Sequence, residues 1–433
     1  MPKLEEVFGI STAPIHSYAT RQEVDGKFKE ALQTDNHIVI YGSSKQGKTA
    51  LRQRYLKDSD CVIVRCSPRS TTESIYSSIL RQSGVAIETV ETKSDGAKAG
   101  GRIRLGFKAK IPWIGSGATQ AEAAGEKSNQ HSITSEFVGF DFGESQAVAE
   151  LLKTSSFEKI VVLENFHYLP LSVQRSLAFD LKTFHEEGIR FIILGIWREA
   201  NLLLQHNGDL QDRVAEVPVE PWEEKDFNNV IELGCNVLNV EITENICRQF
   251  RTHAYGNIGM LQEFLRTFCA LSDVPEALKK PKVLADEAKM SQAFQRKLHD
   301  QRGQLLTILQ SIAGKSRTDS DDPLILPYYL VVVVLKADVD DFYLHGIHRK
   351  DLLEKIRTVH HRADKETIRH GDNSYLLSRL PALQQDISPP LLHYDSNQQR
   401  LRIVDTRQFF VLANVDRNEL LDEIPNPLST RAE

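Results

Sequence analysis

The 433-residue sequence has only five cysteines, Cys61, Cys66, Cys235, Cys247 and Cys269. No two of them stand in zinc-ligand spacing, and so sparse and odd a set points to reduced thiols rather than a disulfide framework. Long hydrophobic runs are missing as well. The longest, residues 324–335, is interrupted by Pro327 and falls far short of the roughly 20 residues of a membrane helix, so no membrane span is expected. The start, Met1-Pro2-Lys3-Leu4-Glu5-Glu6, has no apolar signal core, and a cytoplasmic location is expected. Positive charge is not in excess: 53 Lys and Arg against 59 Asp and Glu give a net charge of −6. Nucleic acid or anionic lipid is therefore met through a local patch or not at all. There is no Ser-His-Asp or Cys-His constellation, no internal repeat and no metal-type histidine spacing. His360-His361 reads as a solvated pair.

What is present is an uninterrupted phosphate-loop signature, Gly42-Ser43-Ser44-Lys45-Gln46-Gly47-Lys48-Thr49 followed by Ala50. The apolar run His37-Ile38-Val39-Ile40-Tyr41 reads as a buried strand entering it, and residues 50–56 as the helix leaving it. That context gives the match its weight. Glycines let backbone N–H groups close on phosphates, and the helix N-terminus adds partial positive charge. Lys48 is expected to reach the β- and γ-phosphates and the Thr49 hydroxyl to ligate Mg²⁺. The implied cofactors are ATP and Mg²⁺.

Strands alternate with helices through the first half. Further strands are expected at residues 61–66, 159–163, 191–195 and 214–219, with helices at 71–82, 145–152 and 173–187. Such alternation predicts a parallel sheet with right-handed crossovers. From Pro221 the pattern reads as helices only, at 223–238, 243–253, 260–271 and on to about 312. A Gly/Ser/Asp-rich break at 314–322 reads as a linker. The last segment predicts three helices and then a hairpin, residues 391–394 and 400–404 around the turn Asp395-Ser396-Asn397, which is a winged-helix order. The fold class is therefore α/β: a P-loop NTPase core with a five-stranded parallel sheet, then an all-α lid and a C-terminal winged helix. The expected units are a lead at 1–35, the core at 36–219, the lid at 220–313 and the winged helix at 323–433.

At the end of the third core strand an ATPase needs an acid for Mg²⁺ and a proton acceptor for water. Glu164 suits the first role. Asn165 cannot accept a proton, though it can orient water, so slow hydrolysis or a nucleotide-held switch is expected. Arg198, after the fourth strand, and Arg213, before the fifth, are candidates for stabilising γ-phosphate charge in cis or in trans; each reads equally well as a surface arginine paired with an acid such as Glu199 or Asp209.

This layout resembles the AAA+ ATPases, in particular the origin-recognition initiators and transposition-regulator ATPases. Tyr18 and Arg21 look like their N-terminal box against the base. Glu164-Asn165-Phe166-His167-Tyr168-Leu169 is similar to an Asp-Glu-x-His-x-Leu run with both acids changed. Pro221-Trp222 and the run Tyr255 to Leu261 look like the helical lid, although Ile258 and Gly259 stand where initiators commonly place a sensor arginine. STAND signalling ATPases share the core, the winged helix and an arginine after the fourth strand. The resemblance implies ATP-dependent homo-oligomers, with double-stranded DNA or a separate effector protein as partner.

Residues 91–135 form a Gly/Ala/Ser/Lys-rich insert. Within it Arg102, Arg104, Lys108 and Lys110 alternate with apolar residues at period two, and Trp113 follows. A return strand is expected at 120–127. Such a hairpin is read three ways: phosphate contact with Trp113 stacking on a base, packing on its own domain, or contact with another subunit. In the winged helix the basic residues Arg349, Lys350, Lys355, Arg357, Arg362, Arg369, Arg400 and Arg402 suit DNA, but Asp364, Glu366, Asp372 and Asp386 interleave with them. The functional expectation is a nucleotide-controlled assembly factor, acting as a DNA-associated loader or regulator. The alternative is a STAND-like antiviral scaffold.

Overall fold

The computed structural model describes residues 1–11, 14–91, 105–112, 135–140, 144–197, 201–317, 322–387 and 389–429. The eight strands up to residue 218 are β1 His37–Tyr41, β2 Cys61–Arg65, β3 Ala86–Glu91, β4 Leu105–Pro112, β5 Ser135–Phe140, β6 Ile160–Glu164, β7 Phe191–Gly195 and β8 Val214–Pro218. Five of them make one sheet in the order β2-β6-β7-β1-β8, and every pairing in it is parallel. The strands are continuous apolar runs because both sheet faces are covered by helices. Alternate residues serve opposite faces: Val39, Val161 and Ile193 join one core cluster, while Ile38, Val162 and Ile192 join the other. All five expected core strands are found. The order places β1 between β7 and β8, so the loop leaving β1 opens at the carboxyl edge of the sheet, where ligands of open α/β folds bind.

The insert departs from the expected hairpin. β3, β4 and β5 form a separate antiparallel three-stranded sheet in that order. Strand β4 pairs with Ala86–Glu91 and Ser135–Phe140; the return strand expected at 120–127 lies outside the described residues. The flanking apolar stretches were too short for periodicity to mark them as strands.

Beyond residue 220 the chain is mostly helical, with one exception to the helices-only expectation. Val240–Ile242 and Lys282–Leu284 pair in parallel and clamp the loop between two lid helices. The helix Ile258–Leu271 and the 27-residue helix Glu287–Ala313 carry the lid core. The C-terminal segment runs Leu326–Lys336, Val339–His345, Arg349–Val359 and His370–Ser378 as helices. Its strands Ile347–His348, Leu392–Asp395 and Arg400–Ile403 form a three-stranded antiparallel sheet with Arg400–Ile403 central. Helices followed by this hairpin match the element order expected of the segment. Two helices absent from the sequence reading, Arg407–Asn414 and Arg417–Asp422, follow. Phe264 of the lid, Leu305 of the long helix, and Leu330 and Phe410 of the C-terminal segment belong to one buried cluster. No helix among the described residues is long and apolar enough to cross a membrane.

Candidate nucleotide site

The loop after β1 adopts a conformation that most side chains resist. Gly42, Lys45 and Gly47 have φ of 149°, 59° and 83°, and Gly47 caps the helix Lys48–Tyr55. A Cβ on Gly42 would stand 2.8 Å from Val219 Cγ2 and 3.1 Å from Glu220 Oε2, so glycine is required there on two grounds. Residues Ser44 to Ala50 line a cleft of about 600 Å³ that continues past Glu164 and Asn165 at the end of β6.

The loop is braced from behind. The Glu220 carboxylate accepts hydrogen bonds from Ser43 N (2.7 Å), Ser43 Oγ (3.0 Å) and Gln46 Nε2 (2.6 Å). Gln46 Nε2 also donates to Gly256 O at 3.1 Å, and its Oε1 accepts from Ile258 N at 3.3 Å. Gly259 N donates to Lys45 O at 3.1 Å. A Cβ on Gly259 would meet Lys45 Cβ at 2.6 Å, which explains the glycine at this close approach. Asn257 Nδ2 reaches both Ser44 O (3.0 Å) and Thr406 Oγ1 (3.1 Å). The lid therefore meets the phosphate loop through the backbone N–H groups of Ile258 and Gly259 and the side-chain amides of Gln46 and Asn257. Ser43 and Gln46, expected at the phosphates, turn their side chains toward this brace.

Lys48 Nζ donates to Gly42 O (2.9 Å) and Ser43 O (2.6 Å). Burial pushes its pKa down to about 8, with the charges of Glu220 and Asp405 resisting. Such an ammonium is short of counter-charge.

Glu164 lines the same cleft as Thr49. Its carboxylate faces two guanidinium groups, Arg52 Nη2 at 3.5 Å and Arg65 Nε at 3.3 Å. Arg52 is fully buried and also pairs with Asp58. A hydroxyl and a carboxylate beside a phosphate site form a donor set that suits Mg²⁺. Asn165 sits at φ 60°, in the left-handed region that Asn tolerates better than Glu. It is exposed in the cleft.

At the other end of the cleft, Arg21 lies over the Trp222 ring at 3.8 Å, and its Nη1 donates to Val219 O at 2.7 Å. Tyr18 Oη donates to Asp25 Oδ1 at 2.8 Å. Burial, then the Asp25 charge, drives the Tyr18 phenol above its ordinary range. Both residues line the cleft, as do Trp222 and Ile258.

Arg213 is not in its own chain's cleft. It precedes β8, and in a parallel sheet that places it at the edge opposite the phosphate loop; its carbonyl accepts from His37 N at the start of β1. Its side chain donates to Asp209 O (2.6 Å) and pairs with Glu186 (3.6 Å). A role in cis is thereby corrected, and only contact in trans remains. Arg198, Arg102, Arg104 and Trp113 lie outside the described residues. Lys108 and Lys110 occupy β4 opposite Glu88 and Ala86 of β3.

In the C-terminal segment several expected DNA contacts serve the fold. Arg357 donates to Ile368 O (2.9 Å), Arg362 pairs with Asp322 (2.8 Å), and Arg400 donates to His345 O (3.0 Å). His360 is buried against Leu324 O (2.9 Å) and His361 bonds Tyr329 and Asp322. Of the expected solvated pair, His360 is instead structural, while His361 stays exposed. Lys350, Lys355 and Arg369 remain exposed.

Sequence reasoning missed Glu220, Asn257, Thr406, Arg52 and Arg65. The first has a signal in retrospect: β8 borders β1, so the residue leaving β8 must stand beside the residue leaving β1.

No protein-family model matches the sequence, and neither does any curated protein. Solved structures to which the chain is distantly similar include the Walker-type ATPase of Pyrococcus abyssi, 14% identical, covering 93% of this chain and 99% of that one with a TM-score of 0.48. The Aeropyrum pernix ORC1 protein, solved in complex with DNA, is 12% identical over 100% of this chain and 98% of that one, with a TM-score of 0.43. The Thermotoga maritima RuvB Holliday junction branch migration motor is 10% identical over 89% and 92%, with a TM-score of 0.38. Likenesses this distant say nothing of activity; the sheet order and the loop geometry carry the fold.

Proposed function

We propose that the chain is an ATP-binding AAA+ ATPase in which the nucleotide controls assembly, acting as a DNA-associated regulator or loader. The observation that carries the reading is Lys48: a half-buried lysine whose ammonium is held on two loop carbonyls, at the head of a helix, in a cleft that Glu164 and Trp222 also line. On binding, Lys48 exchanges carbonyl partners for phosphate oxygens, while loop N–H groups and the helix terminus stabilise their charge. Thr49 and Glu164 would hold Mg²⁺, which supplies neutralisation of phosphate charge. Asn165 orients water without accepting its proton, and Arg52 and Arg65 draw on the Glu164 carboxylate. Slow hydrolysis follows from both. Arg213 would act in trans, from a neighbouring copy in an ATP-held homo-oligomer, and Arg198 at the γ-phosphate.

DNA contact rests on Arg102, Arg104, Lys108, Lys110 and Trp113 of the insert and on the exposed basic residues of the winged helix. The internal use of Arg357, Arg362 and Arg400 favours the second reading, a STAND-like scaffold that recruits a separate effector protein. Salt-dependent DNA binding, lost when the four insert cations are neutralised, selects the first. ATP-dependent assembly without DNA affinity selects the second. The nucleotide reading itself is tested by Lys48→Ala in calorimetry with Mg-ATP. Loss of detectable binding is expected, and wild-type affinity in the variant would refute it.

A further inference from the structure

His167 lies three residues past Glu164, in the turn Phe166–Tyr168. It lines the nucleotide cleft. It also lines a second cavity, of about 400 Å³, whose far wall is the C-terminal hairpin with His393 and Arg402. It thus stands between the phosphate end of the cleft and the winged helix.

Both ring nitrogens are buried, and neither has a hydrogen-bond partner among the described residues. His185 and His206 each leave one buried nitrogen, Nε2, without a partner, whereas His167 leaves both. His37 bonds Leu181 O through Nε2 (2.7 Å) and accepts from Phe191 N through Nδ1 (3.1 Å). His360 likewise uses both nitrogens, on Leu324 O (2.9 Å) and Arg362 N (3.1 Å). The imidazole of His167 packs on Tyr168 at 4.2 Å between ring centroids, which holds its plane. Burial and the nearby Lys48 charge bring its pKa down to about 4, so at neutral pH it offers one donor and one acceptor. Buried polar groups are normally satisfied. A donor left open at a phosphate cleft is satisfied by a ligand oxygen.

We propose that His167 reads the terminal phosphate: its ring N–H donates to a γ-phosphate oxygen, and its other side carries that state to the C-terminal hairpin. The inference rests on the nucleotide-binding reading. It adds a positioning residue that neither the loop signature nor the acid at the end of β6 supplies.

The test is calorimetry of the full chain with Mg-ADP and with a non-hydrolysable Mg-ATP analogue. The wild type is expected to prefer the triphosphate. His167→Ala is expected to lose about tenfold to a hundredfold of triphosphate affinity, the range of a hydrogen bond to a charged group, and to keep its ADP affinity. His167→Phe retains the packing on Tyr168 without the nitrogens and is expected to show the same selective loss, which keeps the test usable where the alanine variant fails to fold. A wild-type ratio of the two affinities in both variants would overturn the proposal, as would equal loss for both nucleotides, the mark of a structural role. Failure of the wild-type chain to bind either nucleotide would overturn the broader reading along with it.

Discussion

Removing the Glu220 carboxylate tests whether the phosphate loop is held from behind. In Glu220→Ala, three donors lose their shared acceptor: Ser43 N, Ser43 Oγ and Gln46 Nε2. Ser43 and Gln46 are both fully buried, so water does not replace the carboxylate without opening the loop. Each buried donor left unsatisfied costs about 1–3 kcal/mol. Gln46 keeps Gly256 O at 3.1 Å, so the amide contributes at the low end. A total near 3 kcal/mol is expected, non-additively. For a cooperative unit of 150–250 residues this lowers Tm by roughly 6–12 °C. The backbone N–H groups that the brace holds in place are also loosened, so triphosphate affinity is expected to fall with stability. Glu220→Gln preserves shape but presents an NH₂ group to donors, and should lie between alanine and wild type. The assays are thermal denaturation and nucleotide calorimetry on the same preparations. A Tm within 1 °C of wild type together with unchanged affinity would show that the brace has no energetic role.

Two further perturbations address charge and the water site. Lys48 has its pKa lowered from 10.5 to about 8, so between those values the unfolded chain binds more protons and this residue's contribution to stability rises with pH. Triphosphate binding restores the ammonium; at pH 9 it should therefore take up a proton, seen as an enthalpy that varies with the ionisation heat of the buffer. Absence of that variation would contradict the assignment. His37, lowered from 6.5 to about 4 by burial, acts with the same sign in a lower window. Stability is complete above 6.5 and is lost as pH falls toward 4, by on the order of 3 kcal/mol from this group alone, as denaturant titrations at pH 7, 5 and 4 will show. Asn165→Glu supplies the missing proton acceptor and is expected to raise turnover, at a cost of about 1 kcal/mol for a longer side chain at φ 60°. Asn165→Gln is the control, and equal turnover in the Glu variant would place the limiting step elsewhere.

The loop Gly42 to Thr49, the five core strands and the acid Glu164 were all legible in the amino-acid sequence, because each is a local pattern. Glycine at positive φ, unbroken apolar runs and a residue at a strand end are fixed by near neighbours along the chain. What encloses the loop was not legible. Glu220, Asn257 and Thr406 are about 180 to 360 residues from it in sequence, and only the packing of β8, the lid and the C-terminal helices brings Glu220 and Asn257 onto the loop, and Thr406 onto Asn257, within 3 Å or so. The same holds for Arg213, whose distance from the cleft follows from strand direction, and for the winged-helix arginines, whose charges are spent on carbonyls and acids that periodicity does not reveal. Chain-local sterics determined where phosphate is expected; the tertiary structure decided which groups brace that place, because hydrogen bonds between distant residues depend on how the layers dock.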